Sequence, residues 1–249
     1  MKEVYLAYFD FMGFKQFIQN NDDKVLMRRM GHIFRDIEIC LGKGNYQEPR
    51  NGVIIADISK SKINCLNISD TVLFWTDKCS NDELLELVEV AYNFNWRQIR
   101  YNFPLRGSVI KGNIRVVSHK NENDNQTSYS IQCLYGKGLV YAHDIAEAQE
   151  WAGSILDKAV IDDLNSFDDG KKFVEKHTIK YNIPFKNNFY KEYNAFKLKP
   201  GKVNETTLEN AIKSVDEVFI LDNKTIDNES VQLKIENTKN FILYSKDME

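Results

Sequence analysis

The run Val4-Tyr5-Leu6-Ala7-Tyr8-Phe9 is apolar at nearly every position and stops at a carboxylate, Asp10. β-Branched and aromatic residues without polar alternation predict a central strand, covered on both faces. Any fold for this chain must therefore supply packing layers above and below its first element. A lone carboxylate closing such a strand is costly unless it is paired or metal-bound. The next residues, Asp10-Phe11-Met12-Gly13-Phe14, read as a strand-to-helix turn, with Gly13 allowing a tight bend.

Further along, Val25, Met30, Ile33, Phe34, Ile37 and Leu41 recur at helical spacing. Asp22 or Asp23 could cap that helix, and Gly42 and Gly44 end it. The runs Ile63 to Ile68 and Thr71 to Thr76 flank Ser69-Asp70 as a short hairpin with an acidic tip. A second strong helix begins at Asn81 or Asp82 and runs through Ile99. Pro104 to Lys111 and the segment past Gly112 read as a strand pair, and the polar stretch His119 to Ser130 as an exposed hairpin loop. Ile131 to Tyr135 resumes as strand, and Gly136-Lys137-Gly138 opens a helix carrying Ala142, Ile145, Ala146 and Trp151.

The order β-α-β-β-α-β predicts an α+β fold of the ferredoxin-like (palm) type, an antiparallel central sheet with helices on one face. Beyond residue 165 the pattern weakens. Tyr181 to Phe185 and Ala195 to Leu198 read as edge strands, and a helix follows near Thr206 to Ile220. Residues 1–165 form the core in this reading, and 166–249 a C-terminal extension of the same domain.

Composition narrows the function classes. Lys+Arg 33 against Asp+Glu 36 leaves a net charge of -3, so no general electrostatic grip on nucleic acid is expected. No apolar run reaches membrane-spanning length, and no membrane binding is expected. Asp10 and Lys15 interrupt the N-terminal apolar stretch, which argues against a signal peptide. Cys40, Cys65, Cys79 and Cys133 lie far apart without a CxxC pair, as in a reduced, cytoplasmic protein lacking a structural zinc site.

The chemistry rests on Asp10 and Asp70. In a palm-type sheet the end of the first strand and the tip of the following hairpin are neighbours, so the two carboxylates converge. Two hard oxygen ligands beside a glycine turn suit Mg²⁺ carrying a nucleoside triphosphate. Backbone N–H groups of Met12, Gly13 and Phe14 are placed to hold phosphate oxygens. The structural alternative makes Asp10 a helix cap and Asp70 a turn residue.

These residues carry a family resemblance. Asp10-Phe11-Met12-Gly13-Phe14 resembles the D-I-x-G-F signature of class III nucleotidyl cyclases, and Ser69-Asp70-Thr71-Val72 their second metal-binding aspartate. "SDTVLFW", Leu105-Arg106-Gly107-Ser108-Val109-Ile110-Lys111-Gly112 and Tyr135-Gly136-Lys137-Gly138-Leu139-Val140-Tyr141-Ala142, with Glu147 downstream, are most similar to the bacterial pyrimidine cyclases of anti-phage Pycsar systems. The blocks span roughly residues 4 to 160.

The resemblance implies a homodimer with shared active sites and two divalent ions, Mg²⁺ or Mn²⁺, held by Asp10, Asp70 and the carbonyl of Phe11. It also implies attack of the ribose 3′-oxygen on the α-phosphorus, with a cyclic nucleotide as a defence signal read by a downstream effector. The chain departs from the purine cyclases at three positions, Leu66, Val140 and Asp144. Leu66 stands where they carry a purine-reading Lys or Glu, and Cys133 aligns with their second base reader. Val140 and Asp144 replace the transition-state Asn and Arg. The departures suit either a pyrimidine (UTP or CTP) cyclase, with Asn64, Leu66 and Cys133 around a smaller base, or an inactive nucleotide-binding regulator. A purine cyclase with a rebuilt base pocket is the remaining variant.

Arg106 and Lys111 are the cations nominated for transition-state and phosphate charge, against a plain surface role for each. His143 and Glu147, one helical turn apart, make a weaker metal-pair candidate than a helix-face contact. Tyr8 and Trp75 are weak candidates for stacking on a base.

Overall fold

The structure is a computed structural model that describes residues 1–49, 54–122 and 128–245. The strands are β1 (Lys2–Phe11), β2 (Asn64–Ile68), β3 (Thr71–Trp75), β4 (Leu105–Glu122), β5 (Ser128–Tyr135), β6 (Gly153–Leu156), β7 (Thr178–Phe185) and β8 (Phe189–Phe196). The helices are α1 (Phe14–Asn20), α2 (Asp23–Gly42), α3 (Asn81–Tyr101), α4 (Lys137–Ala148), α5 (Lys158–Leu164), α6 (Asp168–His177), α7 (Glu205–Ile220) and α8 (Glu229–Tyr244). One sheet runs in the order β2-β3-β1-β4-β6-β8-β7, and β5 pairs with the far half of β4.

β1 sits mid-sheet, as its apolar run requires. Tyr5, Ala7, Phe9 and Phe11 point into a large core with α2, α3, α5, α7 and α8. Val4, Leu6 and Tyr8 point to the opposite face, where Ala142 and Ala146 of α4 close a smaller cluster. Helices therefore cover both faces, not the single face expected: α4 crosses to the second layer. It can sit close because Gly112 on β4 and Gly138 on α4 meet without side chains; a Cβ on Gly112 would lie 2.8 Å from the Gly138 Cα.

The pairings are antiparallel except β4 with β6, which runs parallel. The β4 segment is one continuous strand through Gly112, not a strand pair, because Lys2 to Phe11 of β1 and then β5 supply it with partners along its length. Likewise His119 to Asn121 and Ser130 are strand residues rather than loop; residues 123–127 of that polar stretch lie outside the described residues. α4 stops at Ala148, so Trp151 is not part of it. Its buried indole N–H donates to Gln149 Oε1 at 2.7 Å in the turn toward β6.

Caps follow the sequence. The Asp22 side chain accepts from Val25 N, and α3 begins at Asn81, as expected, with Ser80 as its cap. After residue 165, β7 and β8 extend the sheet, and α7 and α8 pack on the large core. Of these, α8 escaped the sequence reading.

Candidate active site

Asp10 is the penultimate residue of β1, opposite Thr71 of β3 and Arg106 of β4. Asp70 precedes Thr71 in the β2–β3 turn, where Ser69 adopts a left-handed φ of 54° and Asn67 Nδ2 donates to the Thr71 carbonyl at 3.0 Å. The Asp70 carbonyl accepts from Phe11 N at 2.9 Å. Sheet order and this bond bring the two aspartates into the wall of one cavity of about 600 Å³, with Phe11 to Gln16, Pro104, Arg106 and Glu147.

Gly13 shapes the turn. Its φ is +76°, a backbone region that costs other residues. Beneath it, Phe11, Phe14, Phe17 and Phe103 pack ring against ring, so the turn stands on a rigid aromatic base. Met12 N donates to the Pro104 carbonyl at 2.8 Å, so this N–H, expected to face phosphate, is already engaged.

Arg106 links the acids. Its Nε donates to Asp10 Oδ2 at 2.9 Å, its Nη1 to the Glu147 carbonyl at 2.8 Å, and its Nη2 to Glu147 Oε2. Lys186 Nζ holds the other Glu147 oxygen at 2.5 Å. Burial pushes the Asp10 carboxyl above the usual Asp range, even against the attraction of Arg106. Burial also raises Glu147, but Lys186 and Arg106 outweigh it and hold this carboxylate below its ordinary value. Arg106 therefore orients Asp10, a role different from the free transition-state cation expected of it.

The other candidates separate. Lys111 pairs with Asp163 at 2.9 Å and sits over the Tyr5 ring, opposite Tyr5 in the β1–β4 register. Five ladder positions along β4, about 17 Å, part it from Arg106, and odd parity turns it to the other face. It is not a phosphate residue of this cavity. Leu66, with Tyr8, Asp70 and His143, lines a second cavity of about 510 Å³ on the α4 face. Asn64 is not in its wall; its Nδ2 points to the Trp75 carbonyl at 3.4 Å. Cys133 is exposed, whereas its neighbour Leu134 faces that cavity, because alternate strand residues face opposite ways. Asn64 and Cys133 are thus not gathered with Leu66 in this chain. Trp75 is buried in the small cluster, and His143 contacts Asp144 and the edge of Tyr8 rather than Glu147.

Sequence reasoning missed the far wall of the first cavity, formed by Lys186, Phe219, Lys224, Thr225, Ser230 and Lys234. Nothing local marks these residues, since Lys186 reaches the site through the β7–β8 turn and the others through the packing of α7 and α8.

Among the described residues no group of three or more His, Cys, Asp or Glu side chains forms a metal cluster. The donor set on the near wall is Asp10, with one oxygen on Arg106, then Asp70 and the backbone at Phe11. Hard oxygens of this kind fit Mg²⁺ or Mn²⁺ that also bind a triphosphate, rather than an all-protein cage.

The fold has counterparts among solved structures. The guanylate cyclase domain of RhGC from Catenaria anguillulae, in complex with GTP, superposes with a TM-score of 0.51 at 10% identity, covering 80% of this chain and 97% of that one. The fold is that of the nucleotidyl cyclase catalytic domains. A dimeric guanylyl cyclase domain of the RhoGC fusion protein from Blastocladiella emersonii gives 0.50 at 12% identity, over 80% and 96% of the two chains. A rhodopsin-guanylyl cyclase core of converted specificity, in complex with ATPαS, gives 0.51 at 11% identity, over 78% and 95%. No family model matches the chain, and no curated protein matches it in sequence. No described helix is long and apolar enough to cross a membrane.

Proposed function

We propose that the chain is a nucleotide cyclase that converts UTP or CTP to the 3′,5′-cyclic monophosphate and pyrophosphate, with Mg²⁺ or Mn²⁺, as an anti-phage signal. The observation that carries the reading is the meeting of Asp10 and Asp70 beside the Gly13 turn in a cavity large enough for a triphosphate. In the reaction the ribose 3′-oxygen forms a bond to the α-phosphorus, and the bond from that phosphorus to the bridging oxygen of pyrophosphate breaks. The divalent ions, when bound, lower the 3′-hydroxyl pKa and neutralise charge on the α-phosphate and leaving group. Asp10 and Asp70 hold them, with the Phe11 carbonyl as a further donor, and Arg106 fixes the Asp10 carboxylate.

Pyrimidine use is supported by the apolar Leu66 where a purine reader would stand. Leaving a purine edge unpaired there costs about 1–3 kcal/mol per group, enough for tenfold discrimination or more. A homodimer is supported by the exposed apolar side chains Val117, Ile131, Tyr135 and Val140 on the β4–β5 hairpin and α4. A catalytically silent nucleotide-binding regulator is the second reading, favoured by the exposed Val140 and Asp144 in place of an Asn and an Arg.

Purified protein is incubated with each of the four NTPs and Mn²⁺, and products are read by mass spectrometry. A cyclic pyrimidine nucleotide that disappears in Asp10→Asn and in Asp70→Asn, both still folded, is the expected result. Full activity in either variant would refute the two-aspartate mechanism. A preference for ATP or GTP would refute the pyrimidine assignment, and nucleotide binding without product would establish the regulator instead.

A further inference from the structure

Lys224 stands out in the cavity wall because its charge is unmet. The residue is 6% exposed, and Nζ has no hydrogen-bond partner among the described residues. Its ammonium rests 4.6 Å from the centroid of Phe103, the ring beneath the Gly13 turn. A buried cation with no direct ion pair is costly; the nearby Asp222 carboxylate is already bonded to Arg29, and cation–π contact offsets only part of the cost. The other two lysines of the C-terminal wall are engaged: Lys186 on Glu147 at 2.5 Å, and Lys234 on Glu150 at 3.5 Å.

The placement of Lys224 is also built, not incidental. A Cβ on Gly13 would lie 3.0 Å from Lys224 Cδ, so the lysine stem crosses the turn where any other residue would crowd it. The connector from α7 to α8 that carries it is tied down at successive residues. The Asp222 carboxylate accepts from Arg29 Nε at 2.8 Å, with side chains 5% and 7% exposed. The Asp222 carbonyl accepts from Asn21 Nδ2 at 2.6 Å, and the Asn223 carbonyl from Asn20 Nδ2 at 2.7 Å. Thr225 N donates to Gln16 Oε1 at 3.1 Å. Asp222 and Asn223 adopt left-handed φ values of 63° and 58°, which turn the chain inward at this point.

We propose that Lys224 is a phosphate-anchoring residue of the nucleotide site, delivered over Gly13 by the C-terminal extension to hold the β- and γ-phosphates and then the leaving pyrophosphate. The assignment rests on the cyclase reading and adds to it a substrate contact from outside the elements that carry the aspartates. The cavity lining carries both the two aspartates, Asp10 and Asp70, and the unpaired ammonium of Lys224. A triphosphate with divalent ions on one side and an ammonium on the other matches that charge pattern. Rotation about the Cγ–Cδ and Cδ–Cε bonds lets the ammonium swing from the Phe103 face to a phosphate oxygen.

The test uses the full chain with inorganic pyrophosphate plus Mg²⁺, measured by calorimetry, and steady-state kinetics on the preferred NTP. Lys224→Met and Lys224→Gln are compared with wild type and with Lys224→Arg, each checked for a cooperative thermal melt. Removing the ammonium is expected to weaken pyrophosphate binding and raise KM, each about tenfold or more. Lys224→Arg should keep part of both, because it retains the charge. A folded Lys224→Met or Lys224→Gln with wild-type pyrophosphate affinity and KM would overturn the assignment. Wild-type protein that binds no NTP and no pyrophosphate would instead overturn the cyclase reading, so the two failures are distinguishable.

Discussion

Replacing Lys224 with methionine should make the protein more stable while weakening its hold on phosphate. Burial drives the Lys224 pKa down from the ordinary lysine value to about 8, with Asp222 opposing and Arg29 reinforcing the shift. A folded-state pKa depressed for a base means that the charged form is the disfavoured one. Below pH 8 the folded protein must carry that charge at full cost. Between pH 8 and the unfolded value the unfolded chain binds a proton that the folded one does not, so stability rises with pH. A shift of this size corresponds to about 3 kcal/mol. Losing the cation–π contact with Phe103 returns about 1 kcal/mol. Lys224→Met should therefore gain about 2 kcal/mol at pH 7, or about 4–8 °C in Tm for a chain of this length. Thermal melts without nucleotide at pH 7 and pH 10 measure it, and the gain should shrink at the higher pH. A lower Tm for the variant at pH 7, or the same gain at both pH values, would refute the argument that Lys224 is a buried, unmet charge.

Other perturbations test neighbouring parts of the same construction. Arg29→Met leaves the Asp222 carboxylate buried and unpaired, and urea unfolding should show a loss of about 3–5 kcal/mol; pairing it with Asp222→Asn should restore part of that loss. Gly13→Ala meets both the φ of +76° and the Lys224 stem, and should cost about 1–2 kcal/mol in a thermal melt while raising KM. Light scattering at micromolar concentration should give about twice 29.0 kDa, and a strict monomer that still turns over nucleotide would remove the shared-site dimer.

What the sequence made legible was local and periodic. The unbroken apolar run of β1 announced a central strand, and the Ser69-Asp70 interruption announced a tight hairpin. Sheet order then made neighbours of Asp10 and Asp70 without any need to know side-chain geometry. Parity errors account for the residues that were misplaced. Lys111 is an odd number of residues from Arg106 and so turns to Asp163 on the opposite face, and Cys133 turns away from the cavity that Leu134 enters. Trp151 lies six and five residues beyond Ile145 and Ala146, off the repeat of the helix expected to carry it, and the chain leaves α4 at Ala148 to reach the parallel partner of β4. Lys224 could not be read at all. Its position depends on α7 returning the chain to α1 across some two hundred residues of sequence, and on Asn20, Asn21, Gln16 and Arg29 meeting it there.

The disposition of Arg106 explains why a cation from the extension matters. A guanidinium at the end of β4 is the natural candidate for charge that develops on phosphate, but here it is divided between Asp10 and Glu147. Freeing it would leave Asp10, already raised by burial, without the partner that keeps its carboxylate oriented. Nor does α4 supply a substitute, since Val140 is neutral and Asp144 is acidic at the places where purine cyclases carry Asn and Arg. In the proposed reaction, positive charge for the leaving pyrophosphate comes from the divalent ions and from the remaining cavity lysines, Lys15 on the near wall and those of the opposite wall. Apart from Lys186, that wall is made by residues after β8, and Lys224 is the lysine there whose ammonium has no carboxylate of its own. In this account the strands after residue 165 and the helices packed with them on the large core complete the site.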